Sequence, residues 1–381
     1  MDRRKDHSAR ILRQISDVSE AEWDAHLPSV SHPFLSWRFL HALEESESAT
    51  SETGWTPCHL WVTDEEDKAI GAAPLYLKTH SQGEYVFDHG WADALHRAGG
   101  QYYPKLQCSV PFTPATGPRL LSRDHTAKPI ILNAFENFCQ QEGFSSAHMT
   151  FLTEGDKTAA IKAGWLQRQD RQFHFINRDY ADFDAFLASL TSRKRKNIRK
   201  ERKAAQEGMT IKRLIGDDIK DHHWDIFYEC YIDTGMRKWG RPYLTRDFFD
   251  LMQQSMRDDI CLVMAEIDGH AVAAALNFIG GEALYGRNWG TLIQKPFLHF
   301  ELCYYQAIEA GLELSLSRVE AGAQGEHKLA RGYEAVTTHS AHYITHPSLR
   351  DAIDRYLTQE RRAVDNEINI LSQHTPFKKE T

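Results

Sequence analysis

Cysteine is scarce and scattered. Cys58, Cys108, Cys139, Cys230, Cys261 and Cys303 are the only six in 381 residues, and no Cys-x-x-Cys pair occurs. That spacing excludes a disulfide scaffold and a structural zinc site, and it fits a reducing compartment. Long apolar runs are missing too: residues 260–265 and 271–279 fall far short of the roughly 20 residues that a membrane-spanning helix needs. The charged opening Met1-Asp-Arg-Arg-Lys-Asp leads into no apolar stretch, so no secretory signal is expected and the expected compartment is the cytoplasm. Basic excess is absent: 45 Lys+Arg stand against 53 Asp+Glu, a formal net charge of −8. Bulk charge therefore cannot draw the chain onto nucleic acid or an anionic membrane, and any polyanion site must be local. There is no Gly-Lys-Ser/Thr phosphate loop, no Gly-x-Ser-x-Gly elbow and no His-Glu-x-x-His. Histidines number twenty, but His222 and His223 are adjacent, and His339 and His342 alternate to opposite faces of an expected strand. No metal is expected.

What the chain does have is a repeat. Gly155-Asp-Lys157, Ala163-Gly164-Trp165 and His174-Phe175-Ile176 are echoed by Gly325-Glu-His-Lys328, Arg331-Gly332-Tyr333 and His342-Tyr343-Ile344. In both copies the histidine follows its glycine by ten residues. Each copy comes after a helix-like stretch closed by glycine (130–142 before Gly143; 300–310 before Gly311) and a short strand (147–152; 318–321). Three strands in succession are read ahead of each: 58–63, 69–78 and 84–88, then 260–267, 271–279 and 283–288. The order describes a mixed α/β (α+β) sheet, occurring twice. Residues 348–371 read as an amphipathic helix.

Three regions carry chemistry. Residues 193–203 hold eight basic side chains in eleven, on an amphipathic helix expected over 182–207. Guanidinium groups pair with phosphate in bidentate fashion, so Arg193, Arg195, Lys196 and Arg199 are candidates for a phosphate-rich ligand, with Gln324 and Gly325 beside them. The segment 322–333 places Glu326, His327, Lys328 and Arg331 where a strand hands over to a helix. Glu326 or His327 is the expected proton acceptor, and Lys328 and Arg331 are expected to stabilise an oxyanion. Residues 102–119 hold four prolines and several aromatics, and read as a long ordered loop. Lys105, Gln107 and Arg119 within it, Asp88 and His89 before it, and Trp239, Arg241 and Tyr243 in the second half are candidates for contacting an acceptor.

Phe87-Asp-His-Gly-Trp-Ala-Asp-Ala94, Gly99-Gly-Gln-Tyr-Tyr-Pro-Lys-Leu-Gln107, Val110-Pro-Phe-Thr-Pro114, Ser192-Arg-Lys-Arg-Lys-Asn-Ile-Arg199, Lys238-Trp-Gly-Arg-Pro-Tyr-Leu-Thr245 and Gly322-Ala-Gln-Gly-Glu-His-Lys328 together resemble the bacterial FemAB-like N-acyltransferases of the GNAT superfamily. The resemblance implies two tandem GNAT-like acyltransferase domains, 1–178 and 179–381, each a mixed, mostly antiparallel sheet flanked by helices. The second would include the basic helix and the C-terminal helix. It also implies transfer of an acyl or aminoacyl group from acyl-CoA or aminoacyl-tRNA to a small-molecule or peptide amine, in peptidoglycan assembly. Those carriers would be co-substrates, with no tightly bound cofactor; transfer RNA is an expected partner and DNA is not. One departure stands out: residues 288–297 lack the Gln/Arg-x-x-Gly-x-Gly/Ala loop with which GNAT domains grip pyrophosphate. The rival expectation is a non-catalytic RNA-binding protein that uses helix 193–203.

Overall fold

The computed structural model describes residues 7–238, 242–322 and 325–378. The chain forms two compact units, Met1–Asp170 with Thr337–Asn366, and Arg171–Val336 with Glu367–Thr381. This corrects the expected serial division at 178/179. The reason lies in the last strand of each repeat. Residues 174–176 of Leu166–Ile176 pair with Arg318–Glu320 in the second unit, while 340–344 of Glu334–Ile344 pair with Ser146–Thr150 in the first. His174 and His342 hold the same place in these two eleven-residue strands.

In the first unit the sheet order is Trp55–Pro57, Leu75–Lys78, Lys105–Cys108, Ser146–Thr150, then the end of Glu334–Ile344; Ser8–Leu12, His59–Thr63 and Ala69–Ala73 form a separate three-stranded sheet. Two expectations need correction here. Residues 84–88 are not a strand, because Glu84 and Asp88 turn inward as buried charges. Residues 102–119 are not wholly loop: Lys105–Cys108 is an inner strand whose Leu106 and Cys108 join the core with Phe135 and Met149.

The second unit runs Leu166–Ile176, Arg318–Glu320, Ala283–Thr291, His270–Ile279, Ile260–Ile267, Thr210–Ile215. Against it packs a helical segment of three pieces, Leu298–Phe300, a π-turn Glu301–Tyr305, and Gln306–Glu313. Gly311 does not close this helix. It lets the helix approach the sheet, since a Cβ there would stand 2.7 Å from Val319 Cγ2. The expected basic helix 182–207 is two helices, Phe183–Ser189 and Ser192–Gln206. Leu190 breaks it by taking an extended conformation and bridging to Phe377, and Thr191 then serves as the next N-cap. The C-terminal helix spans Pro347–Ser372. Among the described residues no helix is long and apolar enough to cross a membrane.

Not every cation of the basic helix faces water. Arg202 lies over the Phe183 ring and donates to Glu301, whose carboxylate is fully buried in the π-turn and also accepts from Gln206 and Gln306. Removing one partner of a buried pair leaves an uncompensated charge, a loss of about 3–5 kcal/mol. Arg202→Met is therefore expected to destabilise the protein by about that amount in urea unfolding, whereas Lys203→Met, on the exposed face, should change stability by less than about 0.5 kcal/mol.

Candidate functional site

Two parallel strands of the second unit, Ala283–Thr291 and Arg318–Glu320, pair over only three residues, Ala283–Tyr285 against Arg318–Glu320. The ladder ends at Tyr285 and Glu320, and this junction is called the fork. On the other side of Ala283–Thr291 the antiparallel register to His270–Ile279 shifts at Leu276/Asn277, leaving Arg287 as an extra residue. A bulge of this kind turns a strand and re-aims its side chains. Gly286, Asn277, Ala321, Cys303 and Tyr304 line a cavity of about 80 Å³ at the fork, and it shares Trp289 and His299 with a larger cavity of about 600 Å³. Arg237 and Lys295 line the larger cavity together with Phe297 and Phe300. The π-turn supplies Cys303 and Tyr304 to the inner cavity; such local widenings of a helix are frequent at functional sites.

Of the four residues expected to act in catalysis, three gather beside this fork. Tyr304 Oη lies 2.9 Å from His327 Nε2. Burial, then Arg331 and Lys328, hold the His327 imidazole below its usual pKa. Lys328 is buried, donates to the Gly322 carbonyl at 2.9 Å, and is pulled down by burial to about 8. Arg331 stacks on Phe300 with its guanidinium carbon 3.4 Å from the ring centre, and donates to Glu201 and to the His327 carbonyl. Those bonds make it a brace for the segment. Glu326 is set apart: its side chain is 66% exposed and lies 3.6 Å from Arg171. Gly325 takes φ +114°, and a Cβ there would meet the His327 ring at 2.5 Å, so the turn needs glycine. Gln324 lies outside the described residues, as do Trp239 and Arg241.

The basic helix shows a divided face. Arg202 is internal, Arg199 pairs with exposed Asp184 at 3.0 Å, and among the described residues Arg193, Arg195 and Lys196 have no side-chain partner. Phosphate binding places no other demand on such groups than reach and charge.

The acceptor candidates of the first unit are, for the most part, interior. Lys105 Nζ donates to Glu84 (2.8 Å), Asp88 (2.5 Å) and Ser81 (2.8 Å), and all four side chains are buried. Asp88 also accepts from Tyr102 at 2.6 Å and stands 3.7 Å from His148, whose Nδ1 is 2.7 Å from His342 Nδ1. Burial alone would raise the Asp88 carboxyl, but Lys105 and His148 outweigh it and hold it well below its usual range. Glu84 is pushed up to about 7 by burial, and Lys78, over the Trp55 ring, is pulled down to about 7 by the same cause. Burial drives both imidazoles down, His148 to about 3. Gln107 donates to Thr150, with its Oε1 unpartnered. Arg119 does not face a substrate: its guanidinium is fully buried and donates to the carbonyls of Ala115, Pro118 and Thr150, so it ties the loop down. Exposed positions are fewer. His89 is exposed beside the half-exposed Phe87 ring, and Tyr243 is 39% exposed. Sequence reading missed Glu84, Tyr102, His148 and Tyr304. Glu84 and Tyr102 lie in segments already singled out, 84–88 and 102–119, whereas His148 and Tyr304 carried no local signal.

Each unit thus holds mixed, mostly antiparallel strands flanked by helices, with one parallel pair in each, Lys105–Cys108 beside Ser146–Thr150 and Ala283–Thr291 beside Arg318–Glu320. The chain belongs to the FemAB-like family, described as peptidoglycan biosynthesis/recognition, which it matches over residues 14–379. A search of the curated proteins found no match. Among solved structures it is similar to FemX (13% identity, 88% of this chain and 98% of that one, TM-score 0.54). It is similar, too, to the C-terminal domain of a putative lysylphosphatidylglycerol synthetase from Agrobacterium fabrum (8% identity, 87% and 94%, TM-score 0.54). At these identities the likeness is one of fold.

The Glu84 environment makes stability pH-dependent. A carboxyl whose folded pKa of about 7 exceeds its unfolded value takes up a proton on folding, so its contribution is complete below about 4.5 and is lost as pH rises to about 7. In Glu84→Gln that dependence should vanish: the variant is expected to gain on the wild type by about 1–3 kcal/mol between pH 4.5 and 7, read from paired urea unfolding curves.

Proposed function

We propose that the protein is an N-acyltransferase that passes an acyl group, and most readily an aminoacyl group, from a polyphosphate or RNA carrier to an amine of a peptidoglycan precursor. The observation that carries this reading is the fork itself, where a small cavity at the end of the parallel ladder shares Trp289 and His299 with a larger one rimmed by Arg237 and Lys295. A carbonyl seated there would meet an amine between the strands.

Lys328 supplies the positive charge for the oxygen that becomes negative as the carbonyl is attacked. Tyr304, whose phenol burial holds well above its usual pKa, stays protonated and donates to the departing atom of the carrier, with His327 behind it in the proton path. Family membership supports peptidoglycan-related chemistry. The unpaired Arg193, Arg195 and Lys196, together with the missing pyrophosphate loop at 288–297, favour transfer RNA over coenzyme A as carrier. Asp88, Lys105 and their partners keep the first unit's polar interior in one arrangement and are given no contact with the acceptor.

Four variants test this reading. Lys328→Met should lower kcat about 10²–10³-fold with KM for the carrier little changed. In the wild type kcat/KM should fall as pH rises through about 8, where the Lys328 ammonium loses its proton, and Lys328→Arg should move that limb up. Gly286→Ala places a methyl 3.4 Å from Asn277 Oδ1 and from the Glu320 carbonyl, an ordinary contact that narrows the fork. It should slow transfer at least tenfold while leaving the melting temperature unchanged. Charge reversal at both Arg195 and Arg199 should weaken carrier binding and reduce its salt dependence by about 0.7 in log–log slope for each phosphate no longer neutralised. Unchanged carrier affinity in that double variant would return the helix to the role of a solvated face.

A further inference from the structure

Asn277 is a polar residue in an apolar stripe. It follows Ala273 and Ala275 at strand spacing, and those two belong to the core that includes Leu302 and Tyr304 of the π-turn. At 1% exposure it is as buried as they are. Its Nδ2 donates to the Cys261 carbonyl at 3.1 Å and lies 3.5 Å from the Ala275 carbonyl. Two carbonyl oxygens on that side fix the amide, because the reverse orientation would set oxygen against oxygen. Oδ1 is therefore turned the other way, and among the described residues it accepts no hydrogen bond. Bracing the bulge takes only the donor half of the amide, so the buried acceptor half asks for a reason of its own. Asn277 lines the inner cavity, and a Cβ built on its ladder partner Gly286 would stand 3.4 Å from this oxygen. The Glu320 backbone carbonyl lies 3.4 Å from the same point. Bare Gly286 thus leaves a gap flanked by two neutral acceptors, one on each neighbouring strand. No carboxylate stands among the described residues that line this cavity, whereas Arg287 and His299 do. A group with N–H bonds to give and no charge to be compensated suits such a gap better than an ammonium.

We propose that this gap seats the attacking nitrogen as a neutral primary amine, and that Asn277 Oδ1 is the specificity-determining contact that selects it. The inference rests on the transfer reading above and deepens it by naming the class of acceptor. A neutral primary amine has two N–H bonds and one lone pair. With one N–H given to Asn277 Oδ1 and the other to the Glu320 backbone carbonyl, the lone pair is left for the carbonyl carbon of the carrier. A secondary amine or a hydroxyl brings a single donor, so one of the two oxygens stays unpaired, the kind of mismatch that a polar site rejects most strongly. In the step, nitrogen bonds to the carbonyl carbon, the carbon–oxygen or carbon–sulfur bond to the carrier breaks, and the departing atom takes the Tyr304 proton. The surplus proton on nitrogen, passed through His327, replaces it. Asn277 binds and orients the amine and takes no proton itself.

The test compares two amines of the same size, propylamine and N-methylethylamine, on the full-length protein, with bulk transfer RNA charged with all twenty amino acids or acetyl-coenzyme A as carrier. Amide formation is read by mass spectrometry. The wild type should prefer propylamine by about 10²-fold in kcat/KM. In Asn277→Leu, kcat/KM for propylamine should fall about 10²-fold while that for N-methylethylamine stays within about threefold, so the preference collapses. If Asn277→Leu proves unfolded by circular dichroism, Asn277→Thr, which keeps a hydroxyl oxygen, takes its place, with the preference lowered about tenfold. A wild type that uses both amines equally well would overturn the proposal and leave the transfer reading standing. So would a folded variant whose two rates fall together, the mark of a purely structural asparagine, or one in which neither rate changes. A wild type that forms no amide with either amine from either carrier would end the transfer reading, and this inference with it.

Discussion

Three residue pairs of parallel sheet, and then no more, set the character of the second unit. Ala283–Tyr285 hold Arg318–Glu320, and from Gly286 onward no ladder pair joins the two segments. Backbone groups past the end of a ladder need other partners, a cost that a buried sheet rarely bears without return. Here the opening is kept by the bulge at Arg287, by the π-turn that fits Cys303 and Tyr304 beside it, and by the Arg202–Glu301 pair that anchors the π-turn to the basic helix. Folding and chemistry therefore draw on the same elements. The helix that presents cations to solvent also holds the cavity wall in place.

The two repeats have used one seam position in different ways. His342 faces His148 in the first unit, and His174 faces Glu320 in the second, each as a directly opposed cross-strand pair. In the first unit the pair adjoins a buried network in which Tyr102, Ser81 and Lys105 donate to Asp88 and Lys105 donates also to Glu84, whose second oxygen has no hydrogen-bond partner. Such a network fixes one arrangement of a polar interior. In the second unit His174 stands 3.7 Å from a Glu320 oxygen that likewise lacks a hydrogen bond. The two copies thus differ in what faces the histidine, an imidazole in the first and a carboxylate in the second.

Much of this was legible in the residues. The Gly164/His174 and Gly332/His342 spacing marked the duplicated order of helix, strand, turn and strand, because those glycines turn with positive φ and the histidines sit at a fixed place in the following strand. What sequence could not supply was the direction of polar side chains. Lys105 and Gln107 read as loop groups facing a ligand, yet they alternate with Leu106 and Cys108 on an inner strand and are buried by partners remote in sequence, Glu84 and Thr150. Residues 84–88 suggested a strand for the same reason: an isolated carboxylate among apolar residues looks exposed until its lysine is known. The crossing of the final strands, which divides the chain at 170/171 and returns 337–366 to the first unit, depends on pairing alone and leaves no local mark. Tyr304 was passed over because it belongs to no motif, only to the π-turn.

The most direct test is to find where the activated acyl group lies. A carrier ester bearing a photoreactive acyl group, irradiated with the intact protein and mapped by peptide mass spectrometry, is predicted to label residues 275–304 and Ala321 around the fork, with labelling suppressed in Gly286→Ala. Labelling confined to the first unit, around Lys105 and His148, would contradict the account.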